Sequence, residues 1–176
     1  AIQAALTGHL VFSTLHTNDS ASAVTRLLDL GAQEFLLSST LLGIMAQRLV
    51  KKICPACIAQ RVLSESEAAL IGLDTRAGAV LVQYGEGCAD CRKTGYRGRS
   101  AIVELFKVTP VIRRMIHEKK SDMMIKEQAR KDGMLTLREA AIRKMLLGET
   151  TYEQVIEVTS EEEDAPAPFV EPEPSA

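Results

Sequence analysis

A chain of 176 residues with 46 per cent hydrophobic content is long enough to bury the core of one ordinary domain or two small ones. A formal charge of −2 and 4 per cent aromatic residues provide no basic, stacking face for nucleic acid. The longest apolar stretch, Phe35 to Ala46, is broken by Ser38, Ser39 and Thr40 and is too short to span a bilayer, so any membrane role is expected to run through partners rather than direct insertion.

The chain opens at Ala1 with neither the basic start nor the small-residue cleavage site of an export signal, and it reads as a piece of something longer. Ala1 to Leu6 has the composition of a helix end, stopped by Thr7-Gly8. The apolar run His9 to Leu15 predicts a buried strand feeding the polar turn His16-Thr17-Asn18-Asp19. A helix is expected from about Ser20 to Leu30: Val24, Leu27 and Leu28 share a face, Asn18 or Asp19 can cap it, and Gly31 suits a left-handed exit. Strand, polar loop and helix in that order are the grammar of an α/β fold, in which ligands sit at the carboxyl ends of strands, where His16 and Thr17 fall. A second helix, Glu34 to Lys51, is expected to bury Leu37, Leu41, Ile44, Met45 and Leu49.

All four cysteines fall in two pairs, Cys54-Pro55-Ala56-Cys57 and Cys88-Ala89-Asp90-Cys91. Two-residue spacing lets both sulfurs of a knuckle reach one ion, and two knuckles supply the four thiolates of a closed structural zinc site. The competing pattern is two disulfides; the lack of secretory features favours the reduced, zinc-binding state. Residues 58–87 exceed a bare ribbon loop and predict structure of their own, with a helix from Ser64 to Leu73. Thr94-Gly95-Tyr96-Arg97-Gly98-Arg99 reads as a glycine-punctuated turn and Ala101 to Val108 as a strand. Four short helices follow: Thr109-Pro110 to Glu118, Ser121 or Asp122 to Lys131, Thr136 to Leu147, and Thr150 or Thr151 to Val158, with breaks at Asp132-Gly133 and Gly148. Residues 160–176 carry six acids, four prolines and no Lys or Arg, leaving 21 basic against 17 acidic residues before them. Such a tail is expected to be disordered.

His16 is the sharpest candidate for chemistry. At the end of an apolar run, beside Thr14, Thr17 and Asn18, an imidazole can hydrogen-bond a phosphate oxygen or orient a water; it can equally cap or stabilise the loop. His9 at the strand start and His117 in a last helical turn have structural readings. Arg26 and Arg48 can pair with phosphate or a neighbouring carboxylate, or snorkel to water. No Gly-x-x-x-x-Gly-Lys-[Ser/Thr] occurs, so the backbone cradle and lysine that hold a triphosphate are missing and the chain alone is not expected to hydrolyse ATP.

Taken together, the motifs resemble the ATPases of bacterial type II secretion and type IV pilus assembly. Ala4-Ala5-Leu6-Thr7-Gly8-His9-Leu10-Val11-Phe12-Ser13-Thr14-Leu15-His16-Thr17-Asn18 is similar to that family's histidine box. Gln47-Arg48-Leu49-Val50 with the two cysteine knuckles and Thr94-Gly95-Tyr96-x-Gly98-Arg99 is similar to its tetracysteine zinc subdomain. Gly133-Met134-x-Thr136-Leu137-Arg138-Glu139 and Gly148-x-Thr150-Thr151-x-Glu153-Gln154-Val155 resemble its C-terminal helices. The resemblance covers residues 1–159.

It implies the C-terminal portion of a RecA-like P-loop ATPase domain: residues 1–53 from the core, 54–99 the zinc subdomain, 100–159 a strand plus helical end, and 160–176 the acidic tail. His16 would contact or sense the γ-phosphate of ATP, with Thr14 and Thr17 shaping its loop, while Cys54, Cys57, Cys88 and Cys91 hold structural zinc. ATP and Mg²⁺ would bind the intact parent, a cytoplasmic homohexamer peripheral to the inner membrane. Its partners would be its own N-terminal half, neighbouring subunits and an inner-membrane platform protein. The alternative from another class is a stand-alone zinc-stabilised adaptor for protein partners, since the glycine turn after Cys91 also resembles chaperone zinc ribbons.

Overall fold

The computed structural model describes residues 1–76 and 78–159; the acidic tail expected from residue 160 onward lies outside them. The chain forms eight α-helices and four β-strands among these residues and divides into two compact units. One comprises Ala1–Ala46 with Glu104–Thr136, the other Gln47–Val103 with the chain from Leu137 onward. The architecture is thus mixed helix and sheet. No helix of the described residues is long and apolar enough to cross a membrane.

In the first unit, α1 (Ile2–Leu6) ends as Thr7 donates its hydroxyl to the Ala4 carbonyl at 2.9 Å and Gly8 takes a positive φ. The expected strand from His9 to Leu15 does not form; residues 9–17 have no regular structure. A strand's N–H and C=O groups need a neighbouring strand, and no ladder of the described residues includes this run. Its side chains are correspondingly bare, Leu10 at 70 per cent and Phe12 at 88 per cent exposure. Order resumes at Asp19, whose Oδ1 accepts the Ser22 N–H at 2.8 Å and starts α2 (Ser22–Asp29). Ala23 and Val24 face inward, and Gly31 makes the left-handed exit.

Residues expected as one helix from Glu34 to Lys51 are instead α3 (Glu34–Thr40) followed by β1 (Gly43–Ile53). Leu41 is already extended, and the Leu42 carbonyl accepts the Val108 N–H at 3.1 Å. Glycine at 43 suits the strand rather than a helix: a Cβ there would lie 2.9 Å from the Phe106 carbonyl oxygen. Met45 and Leu49, expected to be buried, are exposed, because the period of two puts them on the face opposite Ile44 and Val50.

β1 pairs with β4 (Tyr96–Lys107), which begins earlier than expected and passes through Gly98 at positive φ. Helix α5 (Pro110–His117) is capped by Thr109 and carries proline at its first turn; α6 (Asp122–Lys131) is capped by Ser121. Val24, Leu37, Phe106, Val108, Ile112, Ile116, Ile125, Ala129 and Met134 form this unit's core.

In the second unit, β2 (Ile58–Val62) and β3 (Leu81–Gly85) pair antiparallel with Ile58 opposite Gly85 and Val62 opposite Leu81. Between them lies α4 (Glu65–Leu70). Its capping box is complete: Ser64 Oγ accepts from the Glu67 N–H, and the Glu67 carboxylate accepts from the Ser64 N–H at 2.9 Å. Helices α7 (Leu137–Leu146) and α8 (Tyr152–Thr159) bury Leu137, Ala141, Ile142, Met145 and Val155. Gln154 and Thr150 fasten the end of β1 within this unit, Gln154 Oε1 accepting the Lys51 N–H at 2.9 Å and Thr150 donating to the Lys51 carbonyl at 2.8 Å.

Candidate metal centre

The first knuckle begins where β1 ends. The Cys54 N–H donates to the Gly95 carbonyl at 2.9 Å, and Pro55–Cys57 form one turn of 3₁₀ helix that brings the second sulfur back beside the first. The Cys57 carbonyl then accepts the Glu86 N–H at 2.9 Å, tying this knuckle to the approach of the other. In the second knuckle the Lys93 N–H reaches back to the Cys88 carbonyl at 2.8 Å, and both Arg92 and Lys93 adopt positive φ, at 54° and 66°. Non-glycine residues rarely take this conformation, so its appearance twice in succession marks a turn held by its surroundings.

Close backbone approach makes the convergence possible. A Cβ on Gly85 would lie 2.1 Å from the Gly95 carbonyl oxygen, one on Gly95 would lie 2.4 Å from that of Gly85, and one on Gly87 would lie 2.7 Å from that of Lys93. Only glycine fits at these three positions without moving backbone.

The four sulfurs, Sγ of Cys54, Cys57, Cys88 and Cys91, all lie within 4.8 Å of one another, the one group of this kind among the described residues. Cys54 and Cys88 are 3.9 Å apart, Cys57 and Cys91 3.9 Å, and Cys88 and Cys91 3.8 Å. A tetrahedron of thiolates at about 2.3 Å from zinc has edges of about 3.8 Å, so these separations match a metal cage. All four cysteines are free thiols rather than disulfides. Cys54 and Cys91 are buried, and the other two are partly shielded.

The electrostatics also suit a cation. N–H groups of Cys88 and Gly95 point at the Cys91 sulfur, at 3.1 and 3.3 Å, and that of Gly87 at the Cys57 sulfur, at 3.3 Å. The Cys88 N–H foremost holds the Cys91 thiol down to about 6, whereas burial pushes the Cys57 thiol up to about 12. Four neighbouring thiols cannot all ionise unaided; a divalent ion supplies the charge that lets them. An ion held by all four sulfurs would have no open position for water, the coordination of a structural rather than a catalytic site.

The other predicted site residues lie in the first unit. Thr14 and His16 are exposed on the irregular segment, and Thr17 is half-buried. Neither threonine hydrogen-bonds His16 among the described residues. Arg26 and His117 are exposed, and His9 Nδ1 lies 3.1 Å from Thr7 Oγ1 and 3.2 Å from the Ala4 carbonyl, a local structural contact. Sequence reasoning missed Glu104, which meets Ser20, and Lys126, which meets Asp19, just after His16. For Glu104 the available signal was the alternation Ile102, Glu104, Phe106 in β4, which puts a carboxylate on the core face; Lys126 had none.

The family model described as type II/IV secretion system protein matches residues 1–157. The chain is 47 per cent identical to type II secretion system protein E of Pseudomonas aeruginosa over 162 residues, covering 92 per cent of this chain and 32 per cent of the relative. It is 45 per cent identical to type II secretion system protein E of Dickeya dadantii over the same shares of the two chains. To the type IV pilus assembly ATPase TfpB of Acinetobacter baylyi it is 43 per cent identical, over 90 per cent of this chain and 27 per cent of that one. The chain therefore spans about a third or less of the length of the curated relatives it matches.

Proposed function

Since this chain belongs to the type II/IV secretion system protein family, we propose that it is the C-terminal part of a hexameric ATPase whose hydrolysis of ATP powers type II protein secretion or type IV pilus assembly. The observation that carries this reading is the match over 90 per cent of the chain to a type IV pilus assembly ATPase, of which it covers only 27 per cent. The naked apolar run before His16 supports it: Leu10 and Phe12 have the composition of a buried strand and find no sheet among the described residues.

In this reading residues 1–53 complete a RecA-like core whose P-loop and Mg²⁺-binding carboxylates come from the N-terminal half. Residues 54–99 carry the zinc subdomain and 100–159 the strand and helical end. His16 contacts the γ-phosphate, and Thr14 and Thr17 shape its loop; an exposed imidazole on an uncommitted loop is free to meet a nucleotide bound by other parts of the protein. Zinc, held by Cys54, Cys57, Cys88 and Cys91, makes the knuckles rigid and takes no part in the reaction. The hexamer works at the cytoplasmic face of the inner membrane through a platform protein and binds no nucleic acid.

The test is His16→Ala in the complete ATPase. Turnover is expected to fall by about 100-fold, the usual cost of removing one donor from developing oxyanion charge, with the thermal unfolding midpoint unchanged. Wild-type turnover would remove His16 from the mechanism. The 176-residue chain alone is expected to show no ATPase activity, because it contains no P-loop sequence.

A further inference from the structure

In β4, Ile102, Glu104 and Phe106 share a face by the two-residue period, and all three are buried, at 0, 1 and 0 per cent exposure. A carboxylate between two core hydrophobes is costly unless its oxygens are satisfied. Glu104 Oε1 accepts the backbone N–H of Ser20 at 2.7 Å and also the Ser20 hydroxyl, across 84 positions of sequence. Ser20 is itself fully buried.

Its neighbour is gripped separately. Asp19 Oδ2 meets Lys126 Nζ of α6 at 3.3 Å, with the two side chains 22 and 17 per cent exposed, while Oδ1 holds the start of α2. So the chain leaves its irregular segment through two consecutive residues, each clamped by a charged group from a different element of the same unit. His16 lies three residues upstream of Asp19. Stability alone does not require this design, because a well-packed apolar side chain commonly replaces a buried charged group without loss. What the carboxylate and ammonium supply, and a hydrophobe does not, is a fixed address for residues 19 and 20.

Building on the reading of His16 as a γ-phosphate contact, we infer that Glu104 and Lys126 are positioning residues for His16, fixing the C-terminal anchor of its loop to the core formed by β4, α5 and α6. Neither touches nucleotide. Both act by limiting where the imidazole can go, so nucleotide binding is retained while turnover depends on them.

The test is a double-mutant cycle in the complete ATPase, using Lys126→Met, which keeps the aliphatic stem. Alone it is expected to lower kcat roughly tenfold with little change in KM for ATP, as expected when a catalytic group is displaced without losing substrate. Lys126→Arg, which keeps the charge, is expected to restore most of that loss. In a His16→Ala background Lys126→Met should have no further effect, because a residue that acts only through another is silent once that other is gone. Equal losses in both backgrounds overturn the inference and leave the role of His16 standing. Unchanged turnover in His16→Ala alone overturns the underlying reading, a result distinct from failure of the clamp. The clamp has its own readout: in Glu104→Leu the Ser20 amide should exchange with deuterium at least about tenfold faster than in wild type, and an unchanged rate overturns its role.

Discussion

The cysteine knuckles and the His16 segment are supplied by one chain in opposite ways. The knuckles draw every ligand from residues 54–91, and backbone bonds such as Cys54 N–H to the Gly95 carbonyl and Glu86 N–H to the Cys57 carbonyl bring the sulfurs to within 4.8 Å of one another. Around His16 the arrangement is the reverse: the segment's polar end is clamped at Asp19 and Ser20, but its apolar approach leaves Leu10 at 70 per cent and Phe12 at 88 per cent exposure. A site whose groups all sit in two local turns can be closed by those turns. In the proposed reading, the His16 segment would be closed only by a sheet that takes in the run before it.

The largest effect is expected from removing the metal. If the four cysteines hold zinc as proposed, elemental analysis should find one zinc per chain, and chelation, or Cys54→Ser, should remove it and release hydrogen-exchange protection across residues 54–57 and 86–95, since zinc binding in small modules is linked to folding by about 10–16 kcal/mol. Exchange in the core around Phe106 and Ile112 should not change. Protection lost equally in both units would show that the knuckles are not self-contained.

The reciprocal experiment comes next in size. Phe106 is fully buried among Val24, Leu37, Ile112 and Ile116, so Phe106→Ala should cost about 3–5 kcal/mol. Measured by hydrogen exchange, that loss is expected in α5 and α6, with zinc still bound at one per chain by elemental analysis. Zinc lost together with the core would break the contrast from the other side.

Gly95→Ala should have a smaller effect, confined to the knuckles. It places a Cβ 2.4 Å from the Gly85 carbonyl oxygen at a φ of +77°, a conformation that alone costs a non-glycine residue about 1–3 kcal/mol. Competition with a chromogenic chelator should show weakened zinc affinity with four cysteines still present. Unaltered affinity would mean that the close approach of the two turns is not what forms the cage.

How much of this was legible follows from where each signal resides. The knuckle spacing and the capping residues at Ser64, Thr109 and Ser121 are local, and the structure uses them as the sequence suggests. The stretch after Thr40 was not legible, because Leu41, Ile44, Met45 and Leu49 satisfy a helical period while Ile44, Ala46, Arg48 and Val50 equally satisfy a strand's. Pairing with β4 decides between them, and that partner lies some fifty residues downstream. The run from His9 to Leu15 failed for the same reason in reverse: its strand composition is clear, but no neighbouring strand of the described residues realises it. Glu104 shows the limit at the site itself, since nothing near it in sequence announces Ser20.

The smallest effect tests whether the second unit's outer fastening belongs to the knuckles' stability at all. Arg61 holds Glu67 with both nitrogens at 2.9 Å and reaches Glu153 at 3.0 Å, joining β2, α4 and α8. The guanidinium foremost, with the Ser64 N–H, holds the Glu67 carboxyl down to about 2 from an ordinary 4.5. A depressed carboxylate contributes stability that is complete above its unfolded value and lost as pH falls through its folded one. The difference in unfolding midpoint between wild type and Glu67→Gln should therefore be positive and constant above about pH 4.5, shrink below it, and vanish near pH 2. Taking a difference cancels the acid release of zinc, which both proteins share, so a gap that tracked metal loss instead of this window would tie the fastening to the knuckles rather than to the carboxylate.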